Sequence, residues 1–496
     1  MSAAFGTPSL PADLTIGPVY WLEQALAADP GQPAPPLTGT ERADVCIVGG
    51  GFTGLWTANE IKRLAPDASV VVLEAMSCGF GASGRNGGWM TSWYDDLDGL
   101  VEHFGREPAL FLADQSSKTI DWIEDFTEEK GIDCSFRRAG SLWFASYPSQ
   151  IGAIEAAREA AEQVGRGQFV ESLDGAEMRR RTGARVALDG LRINDSATVQ
   201  PAALVRGLRR AALEAGVRIH EGSPMIEIKH GRRPLVSTPA GAVEAGQVVF
   251  ATGAWSADLL KMDRSVLVVA SHIVATEPIP ERLADLPWRN GELAGDARLF
   301  VHYAQVTPEG RIVFGRGGGE ISRGSKVTAR QFVDPEVVAE VIAGFRQWFR
   351  ELADVRITHA WGGPVDRSPG YLPFVGSLGE EGNVHYGYGY SGNGVGPTSL
   401  VGRIQARRAL GIADKLSTCA LVSGPRGFYP PEPLRNVGGA AISRIVAAAE
   451  AREAAGKSAA GLVGLGGRLL ETAPTLSPRF RASKAQTEAA QRRLRA

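Results

Sequence analysis

Asp44–Gly88 reads DVCIVGGGFTGLWTANEIKRLAPDASVVVLEAMSCGFGASGRNGG. It opens with Asp44–Val48, a β-branched, apolar run suited to a strand buried in a parallel sheet. Gly49, Gly51 and Gly54 follow as G-x-G-x-x-G. From Phe52 to Leu64 apolar side chains recur at helical spacing, and Ala65-Pro66-Asp67 closes that helix. Val70–Leu73 is a second apolar strand and delivers Glu74, twenty residues after Gly54. Each part has a task. Gly49 permits a tight turn, Gly51 lets a pyrophosphate approach the backbone, and Gly54 lets the helix lie close to the strand. The first helical residues, Phe52 and Thr53, offer free N–H groups and the positive end of the helix dipole. Glu74 stands where a carboxylate bonds a ribose hydroxyl. The combination predicts a dinucleotide crevice.

The glycine pattern serves NAD and FAD alike, and the residues after Glu74 and Ala75 separate them. Gly79–Gly88 is a second glycine-rich loop directly behind the ribose acid, where an NAD domain would continue its sheet. Val48–Gly88, with GASGRNGG following LEA, resembles the flavoprotein amine oxidases of the D-amino-acid oxidase and glycine oxidase superfamily. Within it the sequence is most similar to the γ-glutamylputrescine oxidase-like and aminophosphonate oxidase-like branch. The resemblance implies FAD. Gly81, Ala82, Ser83, Gly84 and Arg85 would lie along the pyrophosphate, and Asn86, Gly87 and Gly88 beside the isoalloxazine. Relatives that attach FAD covalently use a histidine at this loop or a cysteine near a later one. Here Asn86 occupies the loop and no cysteine lies between Cys134 and Cys419, so non-covalent FAD is expected.

Composition bounds the rest. A chain of 496 residues has room for a large core and for more than one domain. The formal net charge of −2 points to neither nucleic acid nor an anionic membrane as partner. Four scattered cysteines fit a reducing compartment and suggest neither a disulfide framework nor a metal site. The sequence has neither a secretory leader pattern nor a run of about 18 apolar residues, so a cytoplasmic protein is expected.

The fold class expected is α/β: a Rossmann-like FAD-binding domain interleaved with an α+β substrate domain on a mostly antiparallel sheet. An N-terminal arm takes 1–42, with one helical patch at Tyr20–Ala28. The FAD domain then takes 43–98, 195–257 and 355–412. The substrate domain takes 99–194 and 258–354, and a C-terminal helical extension takes 413–496, ending in a basic stretch from Ser477. Pro201 and Gly216 bracket a helix in the second FAD stretch. By resemblance, Pro224 and Met225 meet the adenine, and Ala251-Thr252-Gly253 is the second backbone turn at the cofactor. In the third FAD stretch the resemblance places Gly363 at the cofactor and Ser391, Gly392, Asn393, Gly394 and Val395 at the flavin N1–C2=O edge. That glycine turn feeds a helix and so presents N–H donors where reduced flavin carries negative charge.

The chemistry implied is oxidation of an amine C–N bond. A hydride passes to flavin N5, the imine hydrolyses to an aldehyde or ketone, and dioxygen reoxidises the flavin to give hydrogen peroxide. The partners are therefore a small amine and dioxygen. Strand alternation in Arg298–Phe314 puts His302 on one face and Tyr303 on the other, and one of them should face the flavin to orient or deprotonate the amine. Arg298, Arg311 and Arg316 are candidates for an anionic group on the substrate. Of Trp89–Tyr94, some are candidates for the substrate side. The leader YWLEQAL and the tail PPEPLR are similar to the aminophosphonate branch, which implies 2-aminoethylphosphonate. A γ-glutamylputrescine, polyamine or N-methyl amino acid oxidase, a dehydrogenase serving a quinone or carrier, an NAD enzyme and a non-catalytic flavin module are the alternatives. Oligomeric state is open.

Overall fold

The structure, a computed structural model, describes residues 14–457 and 459, apart from 32–33, 164, 285–287, 289–290, 299 and 319–320. The basic stretch from Ser477 lies outside the described residues.

The apolar runs of the opening motif form the centre of an eight-stranded sheet. Gly39–Val48 lies parallel to Val70–Leu73 on one side and to Gly241–Phe250 on the other. Arg218–His220 continues the parallel set beyond Val70–Leu73, and Val384–Tyr388 continues it beyond Phe250. Strands buried on both faces need no polar alternation, and Cys46, Ile47, Val71, Val72, Val248 and Val249 are all sequestered from solvent. The helices Phe52–Leu64 and Pro201–Glu214 cover one face through Leu55, Trp56, Ile61, Leu204 and Leu208. Parallel strands share a direction, so Val48, Leu73, Phe250 and Tyr388 all end at one edge of the sheet. Their following turns meet there.

The second sheet has nine strands. Six of its eight pairings are antiparallel. Its centre is the long pair Leu267–Thr276 and Ile357–Arg367, flanked by Ile312–Arg316 and His302–Val306. The helix Pro335–Trp348 closes its outer face with Val338, Val341, Ile342 and Phe345. The hairpin 302–316 turns at Pro308-Glu-Gly310, with Gly310 N–H donating to the Thr307 carbonyl.

Two of the expected domain limits move. Ile357–Arg367, assigned from sequence to the third FAD stretch, is a full member of the substrate sheet, pairing antiparallel with Leu267–Thr276. Its apolar run matches either sheet, and pairing partners are decided by tertiary contact. The FAD sheet resumes only at Phe374–Leu378. At the other end, the central FAD strand starts at Gly39, inside the residues read as arm.

The helix Tyr20–Ala28 forms as expected, with Tyr20 and Trp21 buried against Trp361. The arm also adds a parallel edge strand, Thr15–Ile16, to the substrate sheet. In the extension, a helix runs Leu434–Ala454.

Candidate active site

The turns at the shared strand edge open into a cavity of about 920 Å³ that continues along the inner face of the substrate sheet. It is lined by backbone at one end and by side chains at the other.

At the backbone end, a Cβ on Gly51 would sit 2.9 Å from Ser83 Oγ, and one on Gly49 would sit 2.5 Å from the Ala251 carbonyl oxygen. Both glycines are close-approach positions where a side chain would fill the crevice. Ser83 Oγ accepts from Phe52 N–H at 2.8 Å, tying the second glycine loop to the start of the helix. Glu74 accepts from Gly50 N–H at 2.7 Å and from Met76 N–H at 2.9 Å, and burial holds its carboxyl above the usual carboxylate range. Pro224 and Met225 line the same end. Arg85 is buried with no carboxylate partner among the described residues. It donates to the carbonyls of Phe80 and Gly362 and lies 4.9 and 4.8 Å from the ring centres of Phe80 and Phe332. Desolvation pushes it down to about 10. A buried cation without a counter-ion is costly unless an anion joins it. Arg85, the helix N-terminus and the glycine cradle together suit a pyrophosphate, and so fit a dinucleotide.

The later turn closes the other side of the crevice. Tyr390 OH bonds Thr53 Oγ1 at 2.7 Å, linking this turn to the first helix. Gly389 N–H donates to Asp366 Oδ2 at 2.6 Å, and Ser391 N–H donates to the Asp366 carbonyl at 3.0 Å. Asp366 is buried, and burial raises its carboxyl to about 6.

All but three of the cofactor positions read from sequence line this cavity. Gly54, Gly84 and Gly88 do not, because each is pressed against backbone. A Cβ on them would run into the carbonyl oxygens of Gly49, Gly79 and Val199 respectively. They shape the crevice from behind. None of the four cysteines and no histidine lines it among the described residues, which accords with non-covalent FAD.

At the side-chain end, the strand His302–Val306 separates the two candidates. Tyr303 faces the cavity, with its ring under Gly87 and its hydroxyl 2.7 Å from Ser271 Oγ. Burial lifts it to about 12, so it stays a phenol at neutral pH. His302 points the other way, beneath the helix Pro335–Trp348, against Phe314 and Trp348 and 3.6 Å from Asp296. Burial pushes it down to about 4. The strand's two faces belong to different compartments, and His302 is a core residue that does not line the cavity.

The three candidate arginines also divide. Arg311 bonds the Thr276 carbonyl and Thr358 and lies over the Tyr20 ring, outside the cavity. Arg316 pairs with Glu340 at 3.1 Å and also lies outside it. Arg298 reaches the cavity, but its Nε is 2.8 Å from Asp296. The cation left over is one that sequence reasoning missed. Arg367 lines the cavity, stacks over Tyr371 at 4.5 Å and donates to its hydroxyl, and has no acidic partner among the described residues. Tyr371 itself holds φ +60°, a backbone strain of the kind kept at functional sites. The two positions share the VDRSPGY segment. Nothing local in it signals that they meet. Trp89 and Trp93 line the cavity, whereas Tyr94 stacks on Phe169 in the core.

A family model described as FAD dependent oxidoreductase matches residues 44–408, and the chain belongs to that family. It is thus an enzyme, an FAD-dependent oxidoreductase. It is 31% identical to the protein named "Probable oxidoreductase OrdL" of Haemophilus influenzae over 390 residues, which is 77% of this chain and 86% of that protein. It is 30% identical to γ-glutamylputrescine oxidoreductase of Escherichia coli over 400 residues, 80% of this chain and 90% of that one. The fold is similar to glycine oxidase from Geobacillus kaustophilus, with a TM-score of 0.63 at 20% identity over 78% of this chain and 99% of that chain. Among the described residues no helix is long and apolar enough to cross a membrane, and no group of side chains could hold a metal ion.

Proposed function

We propose that this flavoenzyme oxidises the C–N bond of a small amine that carries an anionic group, with 2-aminoethylphosphonate as the first candidate. The net reaction converts the amine to an imine, which water hydrolyses to an aldehyde or ketone with release of ammonia or a smaller amine. Dioxygen is the acceptor, giving hydrogen peroxide. The setting is cytoplasmic, in keeping with four free, buried thiols. FAD, when bound, supplies the two-electron acceptor.

The observation that carries the reading is that Tyr303 and Arg367 both line the cavity. Tyr303 is a neutral phenol that donates or accepts a hydrogen bond and so orients an uncharged amine. A phenol held to about 12 is not the base that removes its proton. Arg367 brings a positive charge that no carboxylate of the described chain answers, which suits a phosphonate or carboxylate on the substrate. Holding both ends of the substrate fixes the reacting carbon between them. The turn Ser391–Val395 lines the cavity and would lie beside the place where negative charge develops.

The second reading is a γ-glutamylated or free polyamine. It is favoured by the 30% identity to the γ-glutamylputrescine enzyme, and in the γ-glutamylated form Arg367 would meet a carboxylate. The test is an anaerobic titration of the purified yellow protein with 2-aminoethylphosphonate, its N-methyl form, γ-glutamylputrescine, putrescine, sarcosine and D-alanine. Bleaching by an anionic amine, followed by air reoxidation with peroxide, is expected. Bleaching by putrescine and by no anionic amine would overturn the proposed substrate class.

A further inference from the structure

Beyond the strand that carries Tyr303, the substrate sheet continues for four more strands, and its cavity-facing side there is apolar. We propose that this stretch is a subsite for an alkyl or aryl group on the amine, so that the favoured substrate carries an apolar chain besides its anionic group. The amine part of this inference rests on the function proposed above.

Strand register fixes the layout. Tyr303 stands opposite Gly295, Gly295 opposite Trp143, and Trp143 opposite Leu191. Residues opposite one another share a face of the sheet, so this row crosses the floor of the cavity, and Tyr303, Trp143 and Leu191 all line it. Two residues along, Ile193 stands opposite Val170, and both line the cavity as well. The alternate residues Leu142, Phe144 and Ala304 belong to the core on the other face. At a strand spacing of about 4.8 Å, Trp143 lies roughly 10 Å from Tyr303 along the sheet and Leu191 roughly 14 Å.

Two glycines keep the floor low. The Trp143 ring lies over Gly295, where a Cβ would sit 3.2 Å from it, and a Cβ on Gly315 would run into the Tyr303 ring. Rings laid along the sheet leave the space above them open. Trp89, which follows Gly88 directly in the chain, sets its ring 4.7 Å from that of Trp143. Ile154, on the helix Ile151–Gln163, packs with Leu191 and Val170.

Interiors are close-packed, so apolar space kept open in a cavity marks a ligand. Arg298, which lines the cavity three residues beyond Gly295, is already held by Asp296 at 2.8 Å, and the stretch therefore suits an uncharged group. The loops read as cofactor-binding meet the sheet elsewhere. Trp361 Nε1 donates to the Arg85 carbonyl at 2.9 Å, Ser391 N–H donates to the Asp366 carbonyl, and Gly87 lies over Tyr303. The strand Ile357–Arg367, which holds Trp361 and Asp366, is six positions from Asp189–Ile193 in the sheet. That is about 29 Å along the sheet. The stretch beyond Tyr303 thus falls to the substrate.

The test uses flavin-loaded full-length protein. Straight-chain carboxylates from butanoate to octanoate carry no nitrogen and cannot turn over, so their binding, read by calorimetry, probes the subsite apart from the amine chemistry. Their Kd should fall by about fourfold per methylene, the worth of burying one. N-alkyl 2-aminoethylphosphonates of rising length should show the same trend in kcat/KM. Leu191→Phe fills the subsite and Trp143→Ala removes its floor; in both, the trend should flatten to less than about twofold per methylene. A wild-type Kd that does not vary with chain length would overturn the proposal. So would a trend unchanged in both variants, which would place the chain elsewhere. If Trp143→Ala does not fold, Leu191→Phe decides alone. If Trp143→Ala loses flavin while the trend persists in Leu191→Phe, the opening belongs to the cofactor and the proposal falls. If the carboxylates show the trend but no amine bleaches the flavin, the subsite stands and the amine reading falls.

Discussion

The two ends of one cavity are built in different ways. One end is lined largely by backbone: Gly49, Gly51, the start of the helix at Phe52 and Thr53, and the turns at Ala251–Gly253 and Ser391–Val395, with the Phe52 N–H already taken by Ser83 Oγ. The substrate end is made by side chains, with Tyr303, Arg367, Tyr371 and Trp89 contributed by separate strands and loops. Backbone tolerates few alternatives when a ligand must approach within contact distance, so the first end leaves a rigid spacing of glycines. Side chains on paired strands can be exchanged freely as long as they point inward, and the second end leaves no spacing at all. On the proposed function, cofactor and substrate would be recognised by two codes, only one of which is linear.

Breaking the backbone end should have the largest effect. Gly54→Val places side-chain atoms against the Gly49 carbonyl oxygen and separates helix from strand. The expected outcome is a protein purified without FAD and unable to take it up, read by absorbance after dialysis against excess cofactor. A variant that binds FAD normally would show that this helix–strand contact does not shape the crevice.

At the side-chain end, losses should be graded. Arg367→Gln removes the unanswered charge while keeping length, so KM for an anionic amine should rise by about ten- to a hundredfold, the value of a charged hydrogen bond of roughly 1.5–3 kcal/mol. FAD content and the kinetics with neutral amines should be preserved. Equal losses for neutral and anionic amines would remove its role as an anion anchor.

Tyr303→Phe should lower kcat/KM by about tenfold, in line with one hydrogen bond to the reacting amine. His302→Asn, on the other face of the same strand, should leave kcat/KM unchanged and lower only thermal stability. If the two effects were reversed, the assignment of faces would be wrong.

The smallest expected effect is a pH dependence. Burial raises the Asp366 carboxyl from 3.8 to about 6. Between those values the folded state holds more protons than the unfolded one, so this group's contribution to stability falls as pH rises from about 4 to 6. Above that range it costs at most about 3 kcal/mol in the apoprotein. Asp366→Asn retains an acceptor for Gly389 N–H. The variant should gain on the wild type in denaturant midpoint as pH rises from 4 to 7. Parallel pH profiles would show that Asp366 does not titrate in that range.

Much of the fold was legible in the sequence because local pattern and tertiary role agree in it. Val70–Leu73 can only be buried, Pro201 and Gly216 bracket their helix, and Glu74 arrives at the end of its strand. Legibility failed where an element can serve two partners equally well. The Ile357–Arg367 strand has the composition of either sheet and joined the substrate sheet. Alternation correctly separated His302 from Tyr303, but which face held the cavity depended on where the helix Pro335–Trp348 packed. Arg311 and Arg316 were answered by groups distant in the chain, while Arg367 was left unanswered in a segment read for its glycines.

What the sequence by itself determined is the dinucleotide crevice: strand, turn, helix and acid are contiguous, and their geometry follows from covalent spacing and hydrogen bonding within some forty residues. What only the tertiary structure decided is the substrate end. Charge balance, burial and facing there depend on which distant strands pair and which helix covers them. Coulombic and packing terms act through space, so the same arginine is a structural tie or a substrate anchor according to its neighbours, which the order of residues does not name.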